Sequence, residues 1–206
     1  MTIGTAFLLQ SDARLAHVIE AVGPLPELQV DPHRPEDHFE ALARIVVGQQ
    51  LSTHVAKVIW GRVAAHFEGQ IGPDELLDTE VGILRGLGLS RAKALYLQAL
   101  AAHAREGRLN LKELPNLSEA EVIREITTIK GFGPWSADIF LMFHLHRSDI
   151  LPVGDLGIRE AVRRLYELDQ KPEPELLQHI SQPWRPHRTL ACRYLWLYLD
   201  LFASRR

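Results

Sequence analysis

The sequence predicts an all-α protein of two helical lobes with a cleft between them. Three observations carry this. Apolar residues recur at helical spacing in window after window. No window alternates apolar and polar residues well enough for a strand. Gly and Pro cut the periodic stretches into roughly ten segments of helical length. The proline-rich stretch from Pro24 to Pro35 reads as a crossing between lobes. The central lobe is then residues 35–147, and the second lobe joins residues 1–34 to residues 148–206.

The totals set bounds. A chain of 206 residues with 46% apolar content can build one large domain or two small ones around a real core. No apolar run approaches membrane length. Residues 1–10 carry no basic region and no clear cleavage site, so no signal peptide is read. The single cysteine, Cys192, excludes an internal disulfide and a four-cysteine iron–sulfur cluster, and it points to a reducing, cytoplasmic compartment. The formal charge is −3, whereas nucleic-acid-binding proteins are usually basic. Positive charge is instead local: residues 185–206 hold five Arg against one acidic residue, Asp200.

In chain order, Ser11-Asp12 caps a first helix that ends at Gly23-Pro24. Pro35 opens a second helix, with Phe39, Leu42, Ile45 and Val46 on one face. It runs into the polar corner Gly48-Gln49-Gln50-Leu51-Ser52, where Ser52 caps a helix carrying Val55, Ile59, Val63 and Phe67. Residues 69–78 lead from a loop into a short helix. Gly86-Leu87-Gly88-Leu89-Ser90 reads as a C-terminal glycine and a Ser cap, opening a long helix from Arg91 to about Glu106. Arg91 and Lys93 place basic groups near its start, and a cap is the better reading of this turn than a phosphate contact.

Ser118-Glu119-Ala120-Glu121 matches a capping box and opens a helix with Val122, Ile123, Ile126 and Ile129 on one side. The turn Lys130-Gly131-Phe132-Gly133-Pro134 follows, then a helix carrying Ala137, Phe140, Leu141 and Leu145. Two helices and a tight turn thus span about residues 118–145. Pro134 has no amide hydrogen, which suits the first position of the second helix. The turn presents N–H groups of Gly131, Gly133 and Trp135 at a helix mouth, a site for a phosphate; Pro134 cannot donate. On spacing alone an ordinary helix–turn–helix corner is the better reading. His144 and His146, two apart, do not share a helix face and have no Cys or extra carboxylate near them, so they are not read as metal ligands.

Asp155 follows a Pro-Val-Gly break and starts a helix whose stripe is Ile158, Ala161, Val162 and Leu165; such an Asp is commonly only a cap. Lys171 to Pro174 is a linker, and Glu175 to Ser181 a short helix. Pro183-Trp184-Arg185-Pro186 leads into the last helix, with Leu190, Tyr194, Leu197 and Leu201 as its stripe. Trp184 is either a core plug or a wall of the cleft.

Lys130-Gly-Phe-Gly-Pro-Trp-Ser-Ala-Asp138, followed by Leu151-Pro-Val-Gly-Asp-Leu-Gly-Ile-Arg159, resembles the helix–hairpin–helix DNA glycosylases with a Gly/Pro-rich loop and a later Asp. Within them it is most similar to the bacterial DNA-3-methyladenine glycosylase II branch. The likeness spans roughly residues 35–202 and includes Leu89-Ser-Arg-Ala-Lys-Ala94. It implies excision of alkylated bases from double-stranded DNA, with Asp155 as the catalytic carboxylate. It implies a base pocket of Trp135, Trp184 and His187, the last standing where similar proteins have a second Trp. It places the DNA wedge on Gln50, with Leu51 beside it, where an apolar wedge is frequent. It also implies a monovalent cation, sodium or potassium, on the main-chain carbonyls of Thr127, Ile129 and Phe132, and no required cofactor.

Cutting an N-glycosidic bond builds positive charge on the sugar, which a carboxylate stabilises while orienting a water. Asp155 stands at the positive end of a helix, which favours negative charge there. An alkylated purine is cationic and is drawn to an aromatic face. In members that also cut the strand, a lysine attacks the sugar; this chain has Trp135 there, so the resemblance implies a monofunctional enzyme without lyase activity. Some members carry an N-terminal β-rich domain, which has no counterpart here, so a compact form is expected. The expected partner is damaged duplex DNA in the bacterial nucleoid, bound by a monomer with no membrane contact. Two other readings stand beside this one: a non-enzymatic DNA-binding module, and a glycosylase for oxidised or mismatched bases.

Overall fold

Side-chain caps set where these helices begin. The computed structural model describes residues 2–25 and 37–203, the last two by backbone alone. It holds twelve α-helices and two short 3-10 turns among those residues, and no strand.

The chain divides into two units, Pro32–Leu145 and Met1–Asp31 with His146–Arg206. The expected divisions were after residues 34 and 147. The first division falls outside the described residues, as do the opening of a helix at Pro35 and most of the Pro24–Pro35 crossing.

The first unit contains α3 (His38–Gly48), α4 (Thr53–His66), α5 (Pro73–Asp78), α6 (Val81–Gly86), α7 (Arg91–Arg105), α8 (Glu119–Thr127) and α9 (Pro134–Phe143). Asp37 starts α3 by accepting from Phe39 N at 2.9 Å and Glu40 N at 3.1 Å. Helix α3 packs on α4, α7 and α9, and α8 packs on α9. Leu42, Val46, Leu97, Leu100, Ile126 and Phe140 are fully enclosed there, so α8 and α9 stand on a rigid core. On α4 the expected stripe is only partly inward: Val63 is buried, but Val55 is exposed.

The second unit contains α1 (Ile3–Ser11), α2 (Ala13–Val22), α10 (Leu156–Leu165), α11 (Pro174–Ile180) and α12 (Arg188–Ala203). Asp12 caps the helix that ends at Gly23, as expected, but that helix is α2, because α1 precedes it. Helix α1 escapes periodicity because its apolar residues run around most of its circumference. Helix α12 packs on α2 and α10, and its inward side is Ala191, Cys192, Tyr194 and Leu195. Leu197 and Leu201, expected inside, are exposed. A run rich in leucine offers more than one stripe, and the buried one contains the small Ala191 and Cys192. The basic segment is also less free than its composition suggests. Arg188 Nε lies 2.6 Å from Asp149 Oδ1, and Arg185 lies 3.0 Å from Asp149 Oδ2.

Candidate active site

The hairpin is built as its sequence requires. Ser118 Oγ accepts from Glu121 N, and Glu121 accepts from Ser118 N at 2.9 Å, so α8 begins on a complete capping box. After α8 the chain turns back, with Phe132 N donating to Ile129 O at 3.0 Å. Gly131 has φ +96°, and a Cβ there would lie 2.1 Å from Tyr96 Cγ on α7. Only glycine fits both that angle and that contact. Pro134 occupies the first turn of α9. Neither Gly131 nor Gly133 donates its N–H to a backbone carbonyl among the described residues. Two N–H groups of the expected phosphate site are thereby available at the mouth of α9.

Trp135 follows at the second position of α9, half-buried. Asp138 lies one turn further on. Burial raises its carboxyl, aided by the charge of Glu119, to a pKa of about 7. Lys130 in the turn is exposed.

The corner between α3 and α4 is tied to this hairpin. Gln49 Nε2 donates to Gly131 O at 2.9 Å and to Ser136 Oγ at 3.1 Å. Gln50 adopts φ +56° and is exposed, and Leu51 is 37% exposed beside it. A non-glycine residue in the left-handed region costs about 1 kcal/mol, so neighbouring contacts must hold it there. Ser52 Oγ accepts from Val55 N at 3.4 Å and starts α4. From α7, Lys93 Nζ donates to Val47 O at 2.8 Å and Gln49 O at 2.7 Å. Ser90 caps α7 through Lys93 N, as expected of that turn. The Lys93 ammonium therefore faces carbonyl groups, and its partial burial shifts its pKa down.

In the other unit, Asp155 is the N-cap of α10. Its Oδ1 accepts from Ile158 N at 2.8 Å and from Trp196 Nε1 at 3.0 Å. Its own N–H closes a turn onto Pro152 O at 2.9 Å. Gly157 makes room: a Cβ there would come within 3.0 Å of Asp155 Oδ1 and 3.2 Å of Trp196 Cδ1. Trp196 is the neighbour of Asp155 that sequence reasoning missed. Its signal was an aromatic N–H donor lying off the expected stripe of α12.

Trp184 resolves in favour of the core. It is 0% exposed, its indole Nε1 donates to Asp12 Oδ2 at 2.8 Å, and it presents no open face to a base. Tyr166 OH donates to the same oxygen, while Asp12 Oδ1 accepts from Arg14 N and Leu15 N. Burial alone would raise the Asp12 carboxyl; the bonds from Trp184, Tyr166 and the two amides outweigh it, and the net shift is downward. His187 is half-buried, with its ring edge-on to Phe7 at 5.2 Å between centroids. It also covers Gly4, where a Cβ would lie 3.1 Å from Nδ1.

His144 pairs with His38, Nε2 to Nδ1 at 2.6 Å, and stacks on Phe140. Among the described residues no group of three or more His, Cys, Asp or Glu side chains is placed to hold a metal ion.

Residues 43–186, well over half of the chain, match the family of HhH-GPD superfamily base excision DNA repair proteins. The chain belongs to this superfamily. The DNA-3-methyladenine glycosylase 1 of Schizosaccharomyces pombe is 35% identical over 164 residues, which are 78% of this chain and 72% of that protein. A Bacillus subtilis relative, provisionally named a DNA-3-methyladenine glycosylase, is 30% identical over 169 residues, 79% of this chain. The chain spans 59% of that relative's length. Among solved structures, the Schizosaccharomyces pombe 3-methyladenine DNA glycosylase in complex with abasic DNA superposes with a TM-score of 0.85 at 31% identity, covering 95% of each chain.

Proposed function

We propose that this protein is a monofunctional DNA glycosylase that excises alkylated bases, chiefly 3-methyladenine and 7-methylguanine, from duplex DNA in base excision repair. The observation that carries the reading is Asp155: a carboxylate at the head of α10 with one oxygen fixed by two donors, in an HhH-GPD chain. A cap needs only the Ile158 amide. The additional indole N–H fixes the plane of the carboxylate, as a group that must face a reacting sugar requires.

Each part has a chemical task. The N–H groups of Gly131 and Gly133 bind a DNA phosphate at the α9 mouth. Gln50 and Leu51 enter the stack when the damaged nucleotide is flipped out. Trp135 stacks on the cationic base. The bond between base and sugar C1′ breaks with its electrons going to the base, and the alkylated base is a good leaving group because it is already positive. Asp155 stabilises the charge left on the sugar and accepts a proton from the water that bonds to C1′. The product is an abasic site. Strand-cutting members need a lysine nucleophile, and Trp135 occupies that place in the resemblance.

A monovalent cation on the carbonyls of Thr127, Ile129 and Phe132 fits this reading, since Ile129 O keeps a lone pair after accepting from Phe132. When bound there, such an ion would supply positive charge at the turn. No helix among the described residues is long and apolar enough to cross a membrane, and we place the enzyme with the chromosome.

The test is base release from methylated duplex DNA, followed by chromatography of the free bases. Release of 3-methyladenine and 7-methylguanine is expected. Tight binding with no release would favour a binding module, and release of oxidised or deaminated bases alone would favour another branch. Borohydride should trap no protein–DNA adduct; a trapped adduct would end the monofunctional reading.

A further inference from the structure

We propose that Lys93 is a positioning residue that holds the Gln50–Leu51 corner at the hairpin, so that the wedge is preset before DNA arrives. The inference rests on the wedge reading above. A helix C-terminus leaves carbonyls without intrahelical donors. At the end of α3, Val47 O and Gln49 O both receive the Lys93 ammonium, at 2.8 and 2.7 Å. Lys93 comes from α7, and α7 packs directly on α3. The corner's other side is fastened by the Gln49 amide, which reaches Gly131 O and Ser136 Oγ at 2.9 and 3.1 Å. Those atoms belong to the phosphate-binding turn and the first turn of α9.

The corner is therefore held from two directions, and both fastenings end on the residue before Gln50. Gln50 itself sits at φ +56°, a conformation an ordinary side chain keeps only under such constraint. Tyr96, one turn after Lys93 on α7, fills the space beneath Gly131. One helix thus supports both the corner and the hairpin turn. A cation near DNA is ordinarily read as a phosphate contact; here both donor contacts point to carbonyls, which assigns Lys93 to placement of the wedge.

The experiment is a double-mutant cycle on single-turnover excision of 7-methylguanine from duplex DNA. Lys93→Met removes the donors and keeps the stem; Gln50→Ala/Leu51→Ala removes the wedge. A 2-aminopurine beside the lesion reports unstacking by its fluorescence. Lys93→Met is expected to slow excision at least tenfold and to suppress the fluorescence rise. In the wedge-free background the same change should cost less than twofold. Lys93→Arg, with charge and several donors, should recover most of the rate. If Lys93→Met does not fold, Lys93→Gln takes its place in the cycle.

Loss of the full factor in the wedge-free background would show that Lys93 acts on general stability, and the proposal would fall. So would a Lys93→Met rate within threefold of wild type while the wedge-free protein is slow. Should the wedge-free protein excise at the wild-type rate, the wedge reading itself fails and takes this inference with it.

Discussion

Replacing Gly131 with alanine tests how the hairpin turn is held. A Cβ at Gly131 would stand 2.1, 2.4 and 2.5 Å from three ring atoms of Tyr96. These are ring atoms near the stem of the side chain, so no small rotation clears them. Overpacking of this kind costs about 1–3 kcal/mol. The φ of +96° adds about 1–2 kcal/mol for any residue with a Cβ. Together Gly131→Ala should destabilise the protein by roughly 2–5 kcal/mol, a large part of the 5–15 kcal/mol typical of a domain. The two costs separate in a cycle. With Tyr96→Ala already present, the steric part vanishes and Gly131→Ala should cost only about 1–2 kcal/mol. Urea denaturation of the four proteins gives the numbers. Equal costs in both backgrounds would refute the argument that Tyr96 fixes the turn. DNA binding by Gly131→Ala should also weaken, because the turn's N–H groups and the Gln49 acceptor move together.

Three further outcomes are expected. Trp196→Phe removes one hydrogen bond to Asp155, worth about 1.5–3 kcal/mol for a charged acceptor. It should lower kcat roughly tenfold to a hundredfold with KM little changed; an unchanged kcat would show that Trp196 does not position the carboxylate. Asp138 binds its proton more tightly in the folded chain, with a pKa of about 7 against an ordinary 3.8. Its contribution to stability is therefore full below pH 3.8 and lost as pH rises through 7. Asp138→Asn should raise stability at pH 8 by up to about 4 kcal/mol relative to wild type, and by far less at pH 4; equal gains at both pH values would exclude titration of Asp138 as the cause. Asp12→Ala removes a cap and leaves Trp184 and Tyr166 without their shared acceptor. A loss of about 3–5 kcal/mol is expected, and a thermal scan showing no change would contradict the role given to that carboxylate.

Much of this was legible beforehand because the signals are local. The Ser118 capping box, the two glycines of the turn, Pro134 and Asp155 are determined by caps and backbone angles within a few residues of each other. So were the stripes of α8 and α10, where large apolar residues recur cleanly. What was hidden depends on partners distant in sequence. The Asp12–Trp184 bond joins residues 172 positions apart, and nothing near Trp184 says that its N–H has an acceptor. The Trp196–Asp155 bond spans 41 positions. Lys93 looked like a surface cation at a helix start, and only the packing of α7 on α3 shows where its ammonium goes. Charge was misleading in the same way, because Arg185 and Arg188 are basic in composition but already paired with Asp149.

The central claim is that Asp155 performs the chemistry in an enzyme acting on alkylated DNA. The measurement that tests it is release of 3-methyladenine from methylated duplex DNA by wild type and Asp155→Asn side by side, with binding to the same duplex measured in parallel. Asparagine keeps an oxygen able to accept from Ile158 and Trp196, so the fold and DNA binding should survive while excision falls at least a thousandfold, about 4 kcal/mol in the barrier. Turnover by Asp155→Asn within tenfold of wild type would contradict the account.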